Sequence, residues 1–357
     1  MHVDRQQRAV ALLAERDLDA LLFFTRENLR HLCGFTGSDG VLLLTAAAAV
    51  FLTDSRYTTQ AGSEVTAARV EEYRLQGDGV IAALRDAGVR RIGFESSLSY
   101  GKVSDLRAKG ESGWEWLPLG EELDGLRLVK SAEEVAAMDA AAALNAEAFA
   151  EVEPLIRPGA VERDLALALE FAMKRRGAEE KAFDFIVASG PRGALPHGVA
   201  ADRRLAAGEL VTIDFGCRVD GYHSDETVTV ALGDVDSELR QVFDTVLTAH
   251  DLALAAVMPG VPLAELDRIA RDHIAAAGYG AFFGHGLGHG VGLAIHEAPT
   301  VSMRSKSAVR EGMVFTIEPG VYLPGRGGVR IEDTVVATAS GARVLTRIPK
   351  QFRNLLA

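Results

Sequence analysis

The sequence predicts a two-domain chain, an α/β domain followed by an α+β domain. Three observations carry this. At 357 residues the chain exceeds what one typical core holds. The first third mixes helical apolar spacing with short apolar strands. After Phe183 the chain turns rich in strands and glycine, interrupted by two helical stretches.

In order, residues 3–16 have helical spacing, and Leu18 to Phe24 reads as a strand. Val41 to Leu44 and Val50 to Thr53 read as two strands joined by a turn. Gly79 to Ala87 has helical spacing and Val89 to Phe94 reads as a strand. Ser131-Ala-Glu-Glu134 has the form of a capping box opening a long alanine-rich helix, and a further helix spans about Val161 to Arg176. The boundary is therefore placed near residue 126, giving domains 1–126 and 127–357. Helices are expected over about Ser237–Val257 and Leu263–Ala277. No repeat of 20 to 50 residues indicates a solenoid.

Composition excludes several classes. The formal net charge is −12 and the longest Lys/Arg run is Lys174-Arg175-Arg176, too short to form a basic stripe, which argues against a nucleic-acid binder. The two cysteines, Cys33 and Cys217, are far apart and outside any CxxC motif, which fits a reducing compartment and buried roles. The N-terminus lacks the apolar block of a signal peptide, and the apolar run Val41 to Leu52 is too short to span a bilayer, so a cytoplasmic location away from membranes is expected.

The chemistry concentrates in the second domain. Val211-Thr-Ile-Asp214 is a strand carrying one acid, Asp220-Gly221 is a turn signal, and Tyr222-His-Ser-Asp225 begins the return. Asp214 and Asp225 thus come within a residue or two of register. The pattern recurs: Met313 to Glu318 ends on an acid, Pro324-Gly-Arg-Gly-Gly328 reads as a loop, and Val329-Arg-Ile-Glu332 returns. Any one of these acids alone would face solvent. All four sit among apolar neighbours such as Ile213, Phe215, Ile317 and Ile331, and buried like charges need protons or cations.

Between the hairpins, the segment Gly284 to Pro299 holds His285, His289 and His296, three of the nine histidines. Its glycines match no phosphate-binding loop, and His296-Glu297 is not HExxH because position 300 is Thr. Two acid pairs beside histidines favour metal over a shared proton. One imidazole with four carboxylates suits two divalent ions such as Mn²⁺, Co²⁺ or Zn²⁺.

These motifs together resemble a known family. Asp214-Phe-Gly, Gly221-Tyr-His-Ser-Asp225, His285-Gly-Leu-Gly-His289-Gly, His296-Glu-Ala-Pro, Thr316-Ile-Glu318-Pro-Gly and Arg330-Ile-Glu332-Asp are similar to the pita-bread metallopeptidases, in particular the proline-specific branch of aminopeptidase P and prolidase. The resemblance implies a creatinase-like α/β N-terminal domain and an α+β pita-bread catalytic domain. It implies that Asp214, Asp225, His289, Glu318 and Glu332 bind two metals, with Mn²⁺ first, and that Asp225 and Glu332 bridge them. It further implies that Glu318 shuttles a proton, that His296 stabilises an oxyanion, and that His197 and His285 contact the substrate backbone. Phe183 would wall the proline pocket, and Tyr322 and Arg330 would support the metal site. A homodimer acting on peptides with proline in second place follows from the same likeness. Val228, after Thr227, departs from the family's frequent Arg without touching the ligands.

Within that branch, an Xaa-Pro aminopeptidase is expected. Some prolidases place Arg just after His-Glu-x-Pro, where this chain has Thr300. Cys33-Gly-Phe-Thr-Gly-Ser-Asp-Gly40 and Thr53-Asp-Ser-Arg-Tyr57 resemble aminopeptidase P, and Arg56 or Tyr57 is expected to contribute to the substrate entrance. The competing readings are a prolidase and, in another class, a non-catalytic pita-bread binding protein. The full ligand set disfavours the latter, and the lack of GxSxG disfavours a serine hydrolase.

Overall fold

Successive residues of a strand face opposite sides, and in the first unit both sides are apolar. In the computed structural model, which describes residues 1–356, Leu21 and Phe23 enter one buried cluster while Ala20 and Leu22 enter another. Ala357, the last residue of the second expected domain, lies outside the described residues. The chain divides into two units, Met1–Arg127 and Leu128–Ala357.

The first unit is a six-stranded mixed sheet. Its strands run in the order Arg69–Glu72, Ala49–Thr53, Val41–Thr45, Ala20–Phe23, Arg91–Glu95 and Glu115–Leu119. One face is covered by the helices His2–Arg16 and Arg26–Cys33 through Ala9, Leu13, Leu29 and Leu32. The other is covered by Gln76–Asp86 and Tyr100–Lys109 through Val80, Ile81, Leu84 and Leu106. This is the expected α/β layering. The helices Arg26–Cys33, Thr58–Glu64 and Tyr100–Lys109 were not expected. Each is ten residues or shorter, and the first and third carry several charged residues, which blurs their apolar period.

The second unit opens with the helix Ala132–Val152. Ser131 Oγ accepts from Glu134 N–H, and Glu134 Oε2 accepts from Ser131 N–H at 2.7 Å, completing the capping box. This helix and Glu162–Arg175 bury Phe149, Leu165 and Leu169 against Ile213, Phe215 and Val228 of a three-stranded sheet, Ile186–Ser189, Glu209–Phe215 and Glu226–Leu232. The helices Ser237–Ala255 and Leu263–Ala276 bury Phe243, Leu266 and Ile274 against Phe315, Ile317 and Val335. Those last residues belong to a five-stranded sheet ordered Glu297–Val301, Gly288–Gly290, Val314–Ile317, Asp333–Thr338 and Gly341–Val344. The unit is α+β, as expected. One boundary differs: Gly327 and Gly328, read as loop, begin the strand Gly327–Arg330. An added Cβ at Gly328 would stand 2.1 Å from Gly193 O, so a neighbouring backbone packs where other strands carry side chains.

Candidate metal and catalytic site

The first acid hairpin turns at Asp220 and Gly221, both with positive φ, which is the two-residue turn that Asp-Gly favours. Beyond the turn Asp214 lies opposite Thr227, so Asp225 is two residues off register and on the same face. In the second hairpin Ile317 pairs with Asp333 and Gly320 with Arg330. Both ladders keep one register, which sets Glu318 and Glu332 directly across from each other between them.

His289 stands on the short strand Gly288–Gly290, where the ladder has a register shift after His289. Such a bulge re-aims a side chain. The glycines around it are dictated by packing. A Cβ at Gly288 would meet Thr316 O at 2.0 Å, and one at Gly290 would meet Ala298 O at 2.1 Å.

The imidazole of His289 has a defined tautomer. Its Nδ1 faces Gly290 O at 3.1 Å, so Nδ1 carries the proton and Nε2 presents a lone pair. Burial lowers the His289 pKa and keeps the ring neutral. That lone pair points at oxygens: Nε2 lies 3.5 Å from Asp225 Oδ2 and 3.4 Å from Glu318 Oε1. Asp225, His289 and Glu332 each offer a ligand atom, and these atoms lie within 4.8 Å of one another.

This arrangement fits cations and fits little else. Burial, then the facing carboxylates, push the Asp225 and Glu332 pKa values well up. Burial raises Glu318 as well, against the pull of His285 and Arg330. Asp214 Oδ2 accepts from Arg330 Nη2 at 2.6 Å, while its Oδ1 is buried with no hydrogen-bond partner among the described residues. An acceptor oxygen left bare in a group of acids, with a neutral imidazole lone pair aimed into it, is a donor set for divalent metal. The set contains no thiolate, and both cysteines are buried elsewhere.

Neighbouring polar side chains hold these acids in place. Thr227 Oγ1 donates to Glu332 Oε2 at 2.6 Å, and Thr316 Oγ1 donates to Glu318 Oε1 at 3.1 Å. Arg330 also donates to Tyr322 Oη at 3.0 Å and to Pro196 O at 3.1 Å. Tyr322 Oη is 2.9 Å from His285 Nε2. His285 Nδ1 faces Gly286 O at 2.8 Å, so its Nε2 accepts and the tyrosine hydroxyl donates.

The structure therefore brings Asp214, Asp225, His285, His289, Glu318, Tyr322, Arg330 and Glu332 together. His296 is exposed, with its ring centroid 4.3 Å from that of His289. His197 is exposed in the turn tied down through Pro196 O, and Phe183 is half-buried edge-on to Phe185. Arg56 belongs to the first unit, where its guanidinium is taken by Asp54 and Asp39.

Sequence reasoning missed three supports. Asp267, fully buried, accepts from Leu287 N–H at 2.9 Å and pairs with Arg271, which donates to His285 O and so anchors the histidine strip. Lys130 and Glu297 form a buried ion pair of 2.8 Å. Lys350 reaches Glu226 and Asp333, the residues that follow Asp225 and Glu332. The helical i, i+4 spacing of Asp267 and Arg271 was a usable signal. Lys130–Glu297 and Lys350–Glu226 join residues more than a hundred positions apart and have no local one.

Two family models match the chain. The model for metallopeptidase family M24 matches residues 136–339, and that for the creatinase/prolidase N-terminal domain matches residues 5–129. The chain is 37% identical to an Xaa-Pro dipeptidase of Pyrococcus horikoshii over 98% of each chain. The structure of an Xaa-Pro dipeptidase from Bacillus anthracis superposes with a TM-score of 0.96 at 37% identity, covering 99% of each chain. An X-Pro aminopeptidase from Thermotoga maritima superposes with a TM-score of 0.89 at 36% identity, covering 98% of this chain and 99% of that one. Among the described residues, no helix is long and apolar enough to cross a membrane.

Proposed function

The chain belongs to metallopeptidase family M24, with a creatinase/prolidase N-terminal domain, and on that premise we propose that it hydrolyses the bond before proline in Xaa-Pro dipeptides. The observation that carries the metal chemistry is the group Asp225, His289 and Glu332, whose ligand atoms cluster within 4.8 Å. The dipeptide substrate is supported by the names of the Pyrococcus and Bacillus relatives. This narrows the sequence expectation of an aminopeptidase to a second reading.

Asp214, Asp225, His289, Glu318 and Glu332 would hold two divalent ions. Mn²⁺ is the first choice for this donor set, ahead of Co²⁺ and Zn²⁺. When bound, such ions polarise a carbonyl and acidify a water near neutral pH.

The remaining work falls to side chains. Glu318 Oε1, oriented by Thr316, takes the proton of the attacking water and passes it to the prolyl nitrogen. That nitrogen belongs to a tertiary amide and must be protonated to leave. His296 donates a ring N–H to the developing oxyanion. His285, its Nε2 held by Tyr322, and His197 orient the substrate backbone, and Phe183 packs on the prolyl ring. Arg330 fixes the rotamer of Asp214. Arg56, engaged with Asp54 and Asp39, is assigned to that ion-pair cluster alone if Arg56→Ala leaves peptide kinetics unchanged.

The second reading is an Xaa-Pro aminopeptidase acting on longer peptides. Thr300, uncharged and exposed, pairs with His289 in the ladder, so no cation stands there to receive a dipeptide's free carboxylate. The deciding experiment strips the metal, adds Mn²⁺ and offers Ala-Pro, Ala-Pro-Ala and a longer Ala-Pro peptide, with products read by mass spectrometry. Cleavage confined to Ala-Pro supports the dipeptidase. Release of a single residue from the longer peptides supports the aminopeptidase. A chain inert toward all three sinks both and favours a binding protein. The homodimer and the cytoplasmic location expected from the sequence belong to this proposal too, and sedimentation tests the former.

A further inference from the structure

The strands that carry Asp225 and Glu332 belong to different sheets. Glu226–Leu232 pairs with Glu209–Phe215, whereas Asp333–Thr338 pairs with Val314–Ile317 and Gly341–Val344. Among the described residues no ladder joins the first strand to the last two. On the side of the site, besides the contacts of Thr227 and Thr229 with Arg330, three hydrogen bonds among the described residues cross the seam next to the two acids. Glu332 N–H donates to Thr227 O at 3.2 Å, Thr227 Oγ1 donates to Glu332 Oε2 at 2.6 Å, and Thr334 Oγ1 donates to Asp225 O at 2.8 Å. Two carboxylates of the proposed metal group therefore sit on separately built sheets.

The next residue of each strand faces the opposite way. Glu226 and Asp333 point behind the seam, and both are buried. Lys350, from the segment after the last strand, places its Nζ between them, 2.5 Å from Glu226 Oε1 and 3.4 Å from Asp333 Oδ1. The same segment adds Ile348 N–H to Glu226 Oε1 at 3.0 Å and Thr346 Oγ1 to Asp333 Oδ1. From the helix Ser237–Ala255, His250 Nε2 lies 3.2 Å from Asp333 Oδ2.

We propose that Lys350 is a positioning residue that clamps the two sheets from behind and so sets the separation of Asp225 and Glu332 for metal. The inference rests on the two-metal reading above. A buried ion pair contributes little net stability compared with an apolar replacement. A metal site, by contrast, tolerates ligand displacements of only about 0.2 Å. One ammonium bonded to both strands restrains that spacing, and an apolar side chain in its place could fill the volume without doing so.

The test uses the full chain, Lys350→Met, and the double variant Lys350→Met with Glu226→Gln, which leaves no bare charge at Glu226 if the single variant misfolds. Mn²⁺ affinity is read by competition with a fluorescent chelator, folding by thermal melting of the metal-free chain, and kinetics with Ala-Pro. Loss of an outer-shell partner weakens metal binding by about 10- to 100-fold, and that loss is expected in both variants. At saturating Mn²⁺, kcat is expected to fall while KM stays within about twofold, because the substrate-binding groups are untouched. Wild-type Mn²⁺ affinity in either folded variant overturns the proposal, whether or not the melting point drops, and reduces Lys350 to a structural residue. A wild-type chain that takes up no Mn²⁺ overturns the two-metal reading itself, before any variant is compared.

Discussion

Arg330 Nη2 binds one carboxylate oxygen of Asp214 at 2.6 Å, and the other oxygen, Oδ1, stays buried without a hydrogen-bond partner among the described residues. The guanidinium thus fixes which way Asp214 points and leaves one oxygen for a cation. Arg330→Met should weaken Mn²⁺ binding by about 10- to 100-fold, the usual cost of losing an outer-shell partner. Arg330→Lys should not restore it. A lysine ammonium cannot serve Asp214, Tyr322 and Pro196 O with the fixed fork that Arg330 uses. Chelator competition on the three proteins checks this, and wild-type affinity in the Lys variant would refute it.

Tyr322 connects two groups with one hydroxyl, accepting from Arg330 and donating to His285 Nε2. Burial lowers the His285 pKa, so this ring is neutral and needs that donor to hold its orientation. Tyr322→Phe removes a buried hydrogen bond, worth about 1 kcal/mol of stability. The kinetic loss should be larger than that bond alone, with kcat/KM down by about 10- to 100-fold if His285 orients substrate. Equal losses in stability and in transition-state energy would reduce the hydroxyl to packing.

Metal uptake should release protons. Asp225, Glu332 and Glu318 have raised pKa values in the metal-free chain, so they hold their protons to higher pH than free carboxyls do, and bound cations would displace those protons. His289, lowered by burial, is already neutral and contributes none. The sign follows: Mn²⁺ affinity climbs as pH rises and levels off once the carboxyls ionise in the free protein. Calorimetric titration in buffers of different ionisation enthalpy measures the released protons directly. A pH-independent affinity with no proton release would mean that the acids are already charge-balanced without metal.

Much of this was readable in the sequence because strand periodicity and turn chemistry are local. Asp220-Gly221 announced its turn, and Ser131 with Glu134 announced the long helix. The two acid pairs followed from hairpin geometry. What stayed hidden was long-range. Nothing near Lys350 in the sequence points to Glu226, and nothing near Lys130 points to Glu297, because those pairs form only when distant segments of the chain meet. The substrate-entrance role expected of Arg56 rests on resemblance alone, and no local pattern bears on it. Its residue type is compatible with substrate contact, yet its partners here are Asp54 and Asp39.

Substrate length should respond to position 300. Thr300 is exposed and pairs with His289 across the ladder, so a long cation there would lie beside the proposed site. Thr300→Arg should raise kcat/KM for Ala-Pro relative to Ala-Pro-Ala by roughly tenfold, the effect of about 1.4 kcal/mol from one charge-assisted contact to the free carboxylate. The ratio of the two rates in one mixed-substrate assay is the measurement. An unchanged ratio would show that the carboxylate is recognised elsewhere or not at all.

The glycines of the histidine strip look equivalent in sequence, yet they should not behave alike. A Cβ at Gly290 would stand 2.1 Å from Ala298 O, and this carbonyl belongs to the neighbouring strand and cannot swing aside as a side chain would. At Gly284 nothing lies within 4 Å of the added atom. Gly290→Ala must therefore push two strands apart at the bulge that aims His289. Overpacking of this kind costs about 3 kcal/mol. Because the strain falls beside a ligand, Mn²⁺ affinity should drop together with the melting temperature. Gly284→Ala should leave both at the wild-type level. Thermal melts with and without Mn²⁺ separate the cases: the Gly290 variant should lose much of the metal-induced rise in melting temperature, and the Gly284 variant should keep it. If the Gly290 variant retained the full rise, His289 would not depend on that bulge, and its place among the ligands would have to be reconsidered.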